Sequence, residues 1–208
     1  MDPKVTLENT ESSCQLLWND VSGGMEMDQL CRFSPIIYAN SCFYRLPAQV
    51  YNTSLGKIGA AICWENYMPM YRMTLYNKGI EIYLACTVDD RDVWLSTMRT
   101  IALEGRCFVI SAAQFLKSSD YPENHPIREK HGLDKVLIRG GSCAVDPLGT
   151  VLVQPDFTKE LIHYVDVNLS QIARAKMDLD TVGHYSRPEV FQLIVNERSF
   201  EPVVRRTD

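Results

Sequence analysis

Gly56-Lys57-Ile58-Gly59-Ala60-Ala61-Ile62-Cys63-Trp64-Glu65-Asn66 is the stretch whose reading decides what this chain is. Small and β-branched residues run up to a thiol and give way at once to polar ones, which predicts a buried strand that stops at Cys63. A side chain at a strand end is held rigidly, and the N–H groups of the turn that follows stay free to meet a developing anion. Cys63 is therefore the candidate nucleophile. Trp64 is the candidate donor of a backbone N–H at the oxyanion position, and Glu65 the candidate supporting residue. An acid near a helix start serves equally well as a cap or dipole contact.

Outward from Cys63 the pattern alternates between strand and helix from Val50 to about Asn196, which is the mark of an α/β domain. Pro69 suits the first turn of a helix running through Met70, Met73 and Tyr76 to Lys78, with Gly79 as its stop. Ile80 to Ala85 reads as a buried strand. Asp92 then caps a predicted helix whose Trp94, Met98 and Ile101 form one apolar stripe, with Gly105 ending it and Cys107 to Ala112 returning as a strand. Lys117 to Leu137, interrupted by Pro122, Pro126 and Gly132, is predicted to be a long surface loop and a candidate lid. Ser142 to Val145 and Val151 to Gln154 flank Asp146-Pro147-Leu148-Gly149, a tight-turn sequence between paired strands. Leu161 to Val167 is a further strand, and Asn168 caps a helix with Leu169, Ile172, Ala173 and Lys176 on one face.

The 208 residues, 46% apolar and 23% charged, suit one globular domain with a sizeable core. Seven cysteines without a CxxC pair or a Cys/His cluster argue against a disulfide framework and against a zinc site, and fit a reducing, cytoplasmic setting. No metal and no cofactor is expected. A net charge of −5 disfavours nucleic acid as a partner. The N-terminus lacks a signal-peptide core and no apolar stretch is long enough to span a bilayer, so no membrane association is expected. Cys86 and Cys107, inside apolar runs, and Cys143 read as packing residues. Cys14, Cys31 and Cys42 lie in the first 46 residues, where no sustained period of either kind emerges.

The residues from Gly56 onward resemble the nitrilase branch of the carbon–nitrogen hydrolase superfamily. The run ending in Cys63-Trp64-Glu65-Asn66 looks like its nucleophile motif. Met98-Arg99 through Ala102-Leu103-Glu104-Gly105-Arg106-Cys107-Phe108-Val109 resembles the helix-to-strand segment that follows. Gly140-Gly141-Ser142 and Asp146-Pro147-Leu148-Gly149 are similar to the late hairpin. Val182-Gly183-His184-Tyr185-Ser186-Arg187-Pro188, with Asn196-Glu197 after it, is similar to the C-terminal signature of true nitrilases. The resemblance implies an α/β fold, a four-layer α-β-β-α sandwich, here expected to be incomplete at the N-terminus. It also implies subunits that pair through outer helices and often grow into spirals. Its chemistry is a Glu-Lys-Cys triad that attacks a nitrile carbon to form a thioimidate, which water converts to ammonia and a carboxylate, or to an amide in some relatives.

A free thiol with a pKa of about 8.5 is only a few per cent ionised at neutral pH, so the base and cation are a physical need. Residues 1–46 offer Lys4, Glu8 and Glu11 without the surrounding motifs, so only Cys63 is carried over from the family. The expected organisation is a leader of unknown role over 1–47, a partial hydrolase domain over 48–198 and a tail over 199–208. The expected partners are a small nitrile and either further copies of the chain or a complementing N-terminal fragment. Two other readings are a catalytically silent oligomer-forming subunit and a hydrolase or acyltransferase pairing Cys63 with His184. Asp89, Asp90 and Arg91 follow a strand at the end where α/β folds place ligand contacts, or form a solvated turn.

Overall fold

The computed structural model describes the backbone of residues 4–10 and 13–18, and residues 48–197 in full. The elements are β1 (Lys4–Thr10), β2 (Ser13–Trp18), β3 (Val50–Thr53), β4 (Gly56–Ile62), α1 (Pro69–Asn77), β5 (Ile82–Thr87), α2 (Val93–Gly105) and β6 (Phe108–Ala113). After these come β7 (Phe115–Lys117), α3 (Pro126–His131), β8 (Val136–Arg139), β9 (Cys143–Val145), β10 (Val151–Val153), β11 (Ile162–Asp166) and α4 (Ser170–Asp178). One six-stranded sheet runs in the order β10-β9-β6-β5-β4-β3, with β4, β5 and β6 parallel and the flanking strands antiparallel.

The parallel centre follows from composition. β5 and β6 are buried along their whole length, as strands covered on both faces must be. Alternate residues of β5 go to opposite cores. Tyr83 and Ala85 join Leu75, Tyr76, Trp94, Met98 and Ile101 beneath α1 and α2. Ile82 and Leu84 join Phe108, Ile110, Val165, Val167 and Ile172 on the other side, where β11 and α4 cover the sheet. A three-stranded sheet, β11-β1-β2, forms the next layer. The mixed α/β fold thus has the α-β-β layer order of the expected sandwich over the part described.

Several expectations need correction. Lys117 to Leu137 is a surface connection, as expected, but not a structureless one: it joins β7 to β8, which pair antiparallel, and carries a 3-10 turn at Ser118–Asp120 and the short helix α3. Its prolines and Gly132 punctuate that excursion and do not unravel it. Asp92 makes no cap hydrogen bond to α2, because its carboxylate is taken by Arg139 Nη2 at 3.1 Å. α2 ends at Gly105, as expected, but the left-handed residue is the one after it, Arg106, at φ 47°. Gly105 is also required for close approach, since a Cβ there would lie 2.4 Å from the Tyr76 ring. Arg106 holds its conformation through Pro147 O at 3.3 Å and the Asp178 carboxylate at 2.9 Å.

On α4 the buried residues are Ile172 and Ala175, and Ala173 is exposed. The N-cap of that helix is Leu169, not Asn168, whose Oδ1 accepts from the first helical N–H, that of Ser170, at 3.0 Å. Within the first 46 residues two strands are described: β1 and β2 form a hairpin, and β1 pairs with β11 from Lys4↔Asp166 to Glu8↔Ile162. Cys31, Cys42, Glu11 and the tail over 199–208 lie outside the described residues. Among the described residues no helix is long and apolar enough to cross a membrane, and no group of three or more His, Cys, Asp or Glu is placed to hold a metal ion.

Candidate active site

β4 ends at Ile62, and the chain turns through a 3-10 segment, Cys63–Tyr67, before Pro69 opens α1. Cys63 adopts φ 49°, a left-handed conformation that an L side chain tolerates only when its surroundings hold it. Two residues of the turn supply that hold. Glu65 Oε2 accepts from Ile62 N at 2.8 Å. Asn66, fully buried, donates from Nδ2 to Cys63 O at 2.8 Å and to Ala61 O at 3.2 Å. The Asn66 carbonyl in turn accepts from Arg72 Nη1 at 2.9 Å. Sequence order and backbone geometry therefore force the thiol out of the sheet at its carboxyl end, and Cys63 is half-buried where Cys86, Cys107 and Cys143 are buried.

Burial raises the Glu65 carboxyl above its ordinary value, against the opposing hydrogen bond from Ile62. Burial, with the negative field of Glu65 next in importance, pushes the nearby Tyr71 phenol up to about 12 while its hydroxyl donates to Ala60 O at 3.1 Å. Glu65 thus fastens the turn, as a cap contact does. Trp64 is two-thirds exposed, at 66%.

The parallel register Ile62↔Cys86 brings the end of β5 alongside the thiol. Thr87, fully buried, donates from Oγ1 to Cys63 Sγ at 3.7 Å, and its oxygen accepts from Asp89 N at 2.9 Å. Of the Asp89–Arg91 turn, Arg91 is exposed, Asp90 is half-buried and Asp89 alone is buried. The Asp89 side chain is buried and takes Arg91 Nε at 2.7 Å and Nη2 at 2.5 Å. The Arg91 hydrogen bond, assisted by one from Trp64 and opposed by burial, holds the Asp89 carboxyl below its usual value. Beneath this turn Trp94 Nε1 donates to Ser111 Oγ at 2.8 Å, and Ser111 donates to Ala85 O at 2.9 Å. Tyr67 meets the Trp94 ring edge-on at 5.7 Å.

A second wall comes from the β7–β8 hairpin. Arg139 N donates to Asp90 Oδ2 at 3.0 Å and its Nη2 to Asp90 O at 2.7 Å, while its guanidinium lies 4.4 Å from the Phe157 ring. His184 is not brought to the thiol. It is exposed, packs edge-on against Tyr185, and follows Thr181, which donates to Glu104 O in the last turn of α2. The Asp89–Arg91 turn precedes the first turn of that helix, whose 13 residues extend about 20 Å. Sequence reasoning reached Cys63, Trp64 and Glu65. It missed Thr87 and Arg72, whose contacts come from strand register and helix packing and leave no local signal.

The carbon–nitrogen hydrolase family model matches residues 32–177. The chain is 56% identical over 149 residues to a nitrilase of Bradyrhizobium diazoefficiens, covering 72% of this chain and 46% of the relative. It is 53% identical over 154 residues to an aliphatic nitrilase of Sinorhizobium fredii, covering 74% and 50%. The chain thus spans about half the length of the curated relatives it matches. Its fold is similar to that of the C. elegans NitFhit protein, with a TM-score of 0.56 and 21% identity over 76% of this chain and 35% of that one. The chain belongs to the carbon–nitrogen hydrolase family, in its nitrilase branch.

Proposed function

We propose that Cys63 is the nucleophile of a nitrile-hydrolysing centre. The observation that carries this is the left-handed turn at Cys63, held by Glu65 and Asn66 and projecting a half-buried thiol at the carboxyl end of a parallel sheet. The thiolate adds to the electrophilic nitrile carbon and gives a thioimidate. One water converts it, with loss of ammonia, to a thioester, and a second releases the carboxylate and returns the thiol. The Trp64 backbone N–H faces the charge that develops on the substrate, and Glu65 maintains the turn that aims the sulfur.

Among the described residues the thiol's hydrogen-bond partner is a hydroxyl, which supplies neither a base nor a cation. Turnover therefore calls for a Glu and a Lys from outside this turn, delivered by a complementing N-terminal segment or present in a longer form of the chain, whose copies pair as a homo-oligomer. A cytoplasmic setting accords with the free cysteines 63, 86, 107 and 143. The substrate is a small nitrile, and no cofactor enters the chemistry.

The test is ammonia release from a small aromatic or aliphatic nitrile by the full chain, alone and with a co-expressed segment bearing the family's Glu and Lys motifs. Release that Cys63→Ala abolishes supports the proposal. Absence of release under both conditions, from a folded chain, rejects it in favour of a silent oligomer-forming subunit.

A further inference from the structure

A threonine hydroxyl owns one proton and two lone pairs, so fixing what it accepts also fixes where it donates. Thr87 is the last residue of β5 and fully buried. Its oxygen accepts from the N–H of Asp89 at 2.9 Å, and Asp89 is itself immobilised by Arg91 through Nε at 2.7 Å and by Arg91 N at 3.2 Å. The hydroxyl proton is thereby directed at Cys63 Sγ, 3.7 Å away. Sγ is a weak acceptor as a thiol and a strong one as a thiolate, so this contact strengthens when the sulfur ionises. Its surroundings are water-poor, which increases the effect of a single oriented donor.

We infer that Thr87 is a catalytic residue: its hydroxyl, oriented by the Asp89 backbone and the Asp89–Arg91 ion pair, stabilises the Cys63 thiolate. The inference rests on the reading of Cys63 as the nucleophile. Strand register makes it possible, because Ile62↔Cys86 places residue 63 beside residue 87. A valine in place of Thr87 keeps the shape and loses the donor, whereas a serine keeps the donor.

The experiment follows alkylation of Cys63 by iodoacetamide as a function of pH, with the labelled peptide quantified by mass spectrometry in the full chain. Thr87→Val is expected to slow labelling of Cys63 at neutral pH by about fivefold, with Thr87→Ser restoring it to within about twofold. Circular dichroism reports whether each variant is folded. If the valine variant is not, Arg91→Gln, which removes the guanidinium bonds to Asp89 and leaves Thr87 in place, is expected to slow labelling by about twofold. A folded Thr87→Val with an unchanged profile overturns the inference, as does an unchanged profile in Arg91→Gln where the valine variant does not fold. Labelling needs no turnover, so the nitrilase reading can fail in the ammonia assay while the Thr87 effect persists, and the two outcomes are read separately.

Discussion

Arg72 and Glu104 close a two-pronged ion pair across 32 residues of sequence, with Nε on Oε2 at 3.0 Å and Nη2 on Oε1 at 3.2 Å. The remaining prong of the guanidinium, Nη1, reaches the Asn66 carbonyl, and Asn66 in turn holds the Cys63 carbonyl. Helix α2 is therefore linked to the backbone of the candidate nucleophile through three consecutive polar contacts. Arg72→Ala is expected to cost about 1–3 kcal/mol, because it leaves the buried Asn66 carbonyl without this donor and the half-buried Glu104 carboxylate with the Tyr76 hydroxyl but no cation. Arg72→Lys recovers only part of this, since an ammonium cannot reproduce the fork. Urea unfolding of the two variants checks both statements, and equal stability of alanine and wild type would refute them.

Gly105→Ala is expected to lower stability by about 1–3 kcal/mol through overpacking against Tyr76. The loss should be less than additive when combined with Tyr76→Leu, because the smaller side chain vacates the space. A double-mutant cycle from thermal unfolding measures the coupling. A coupling of zero would mean that the ring and the helix backbone do not press on each other.

Glu65 gives a dependence on pH. Its folded-state value lies above the ordinary 4.5 because burial disfavours the charged form. Stability contributed by the protonated carboxyl is present below that ordinary value and is lost as pH rises through the raised folded value. Glu65→Gln keeps an acceptor for Ile62 N–H and carries no charge. The variant should therefore gain on wild type as pH climbs from about 4.5 toward neutrality. Denaturant unfolding at a series of pH values tests this, and a constant difference across the series would count against it.

Arg139 ties the β7–β8 hairpin to the Asp90–Asp92 turn beside the thiol. Arg139→Ala is expected to raise hydrogen exchange at Leu116 and Ile138 by about tenfold, with the β4–β6 amides unchanged. Uniform protection in both regions would show that the hairpin is held by its own pairing alone.

The centre of the fold and the turn at Cys63 were legible because local chemistry and tertiary role coincide there. Gly56 to Ile62 is a strand by composition, Pro69 and Gly79 bracket α1, and Cys63 stands at the one sharp change from apolar to polar. Legibility failed where an interaction is nonlocal. Gly105 ends its helix as the sequence suggests, yet its missing side chain also makes room for Tyr76, and Arg106 takes the left-handed turn because Pro147 and Asp178 secure its guanidinium. Thr87 ends its strand like any polar residue, and only pairing of β4 with β5 gives its proton a target. The prolines of the 117–137 stretch hid a hairpin whose strands, β7 and β8, are short.

Strand β1 finds one of its two partners only in β11, with Lys4 opposite Asp166. Translation delivers the two ends on the order of ten seconds apart at typical elongation rates. During that interval the N-terminal hairpin has lost no backbone donors to β11 and presents an unpaired margin to the ribosome surface and to holdase chaperones. The last layer of this molecule therefore locks after synthesis has passed residue 166, which makes nascent-chain length the variable that governs its closure.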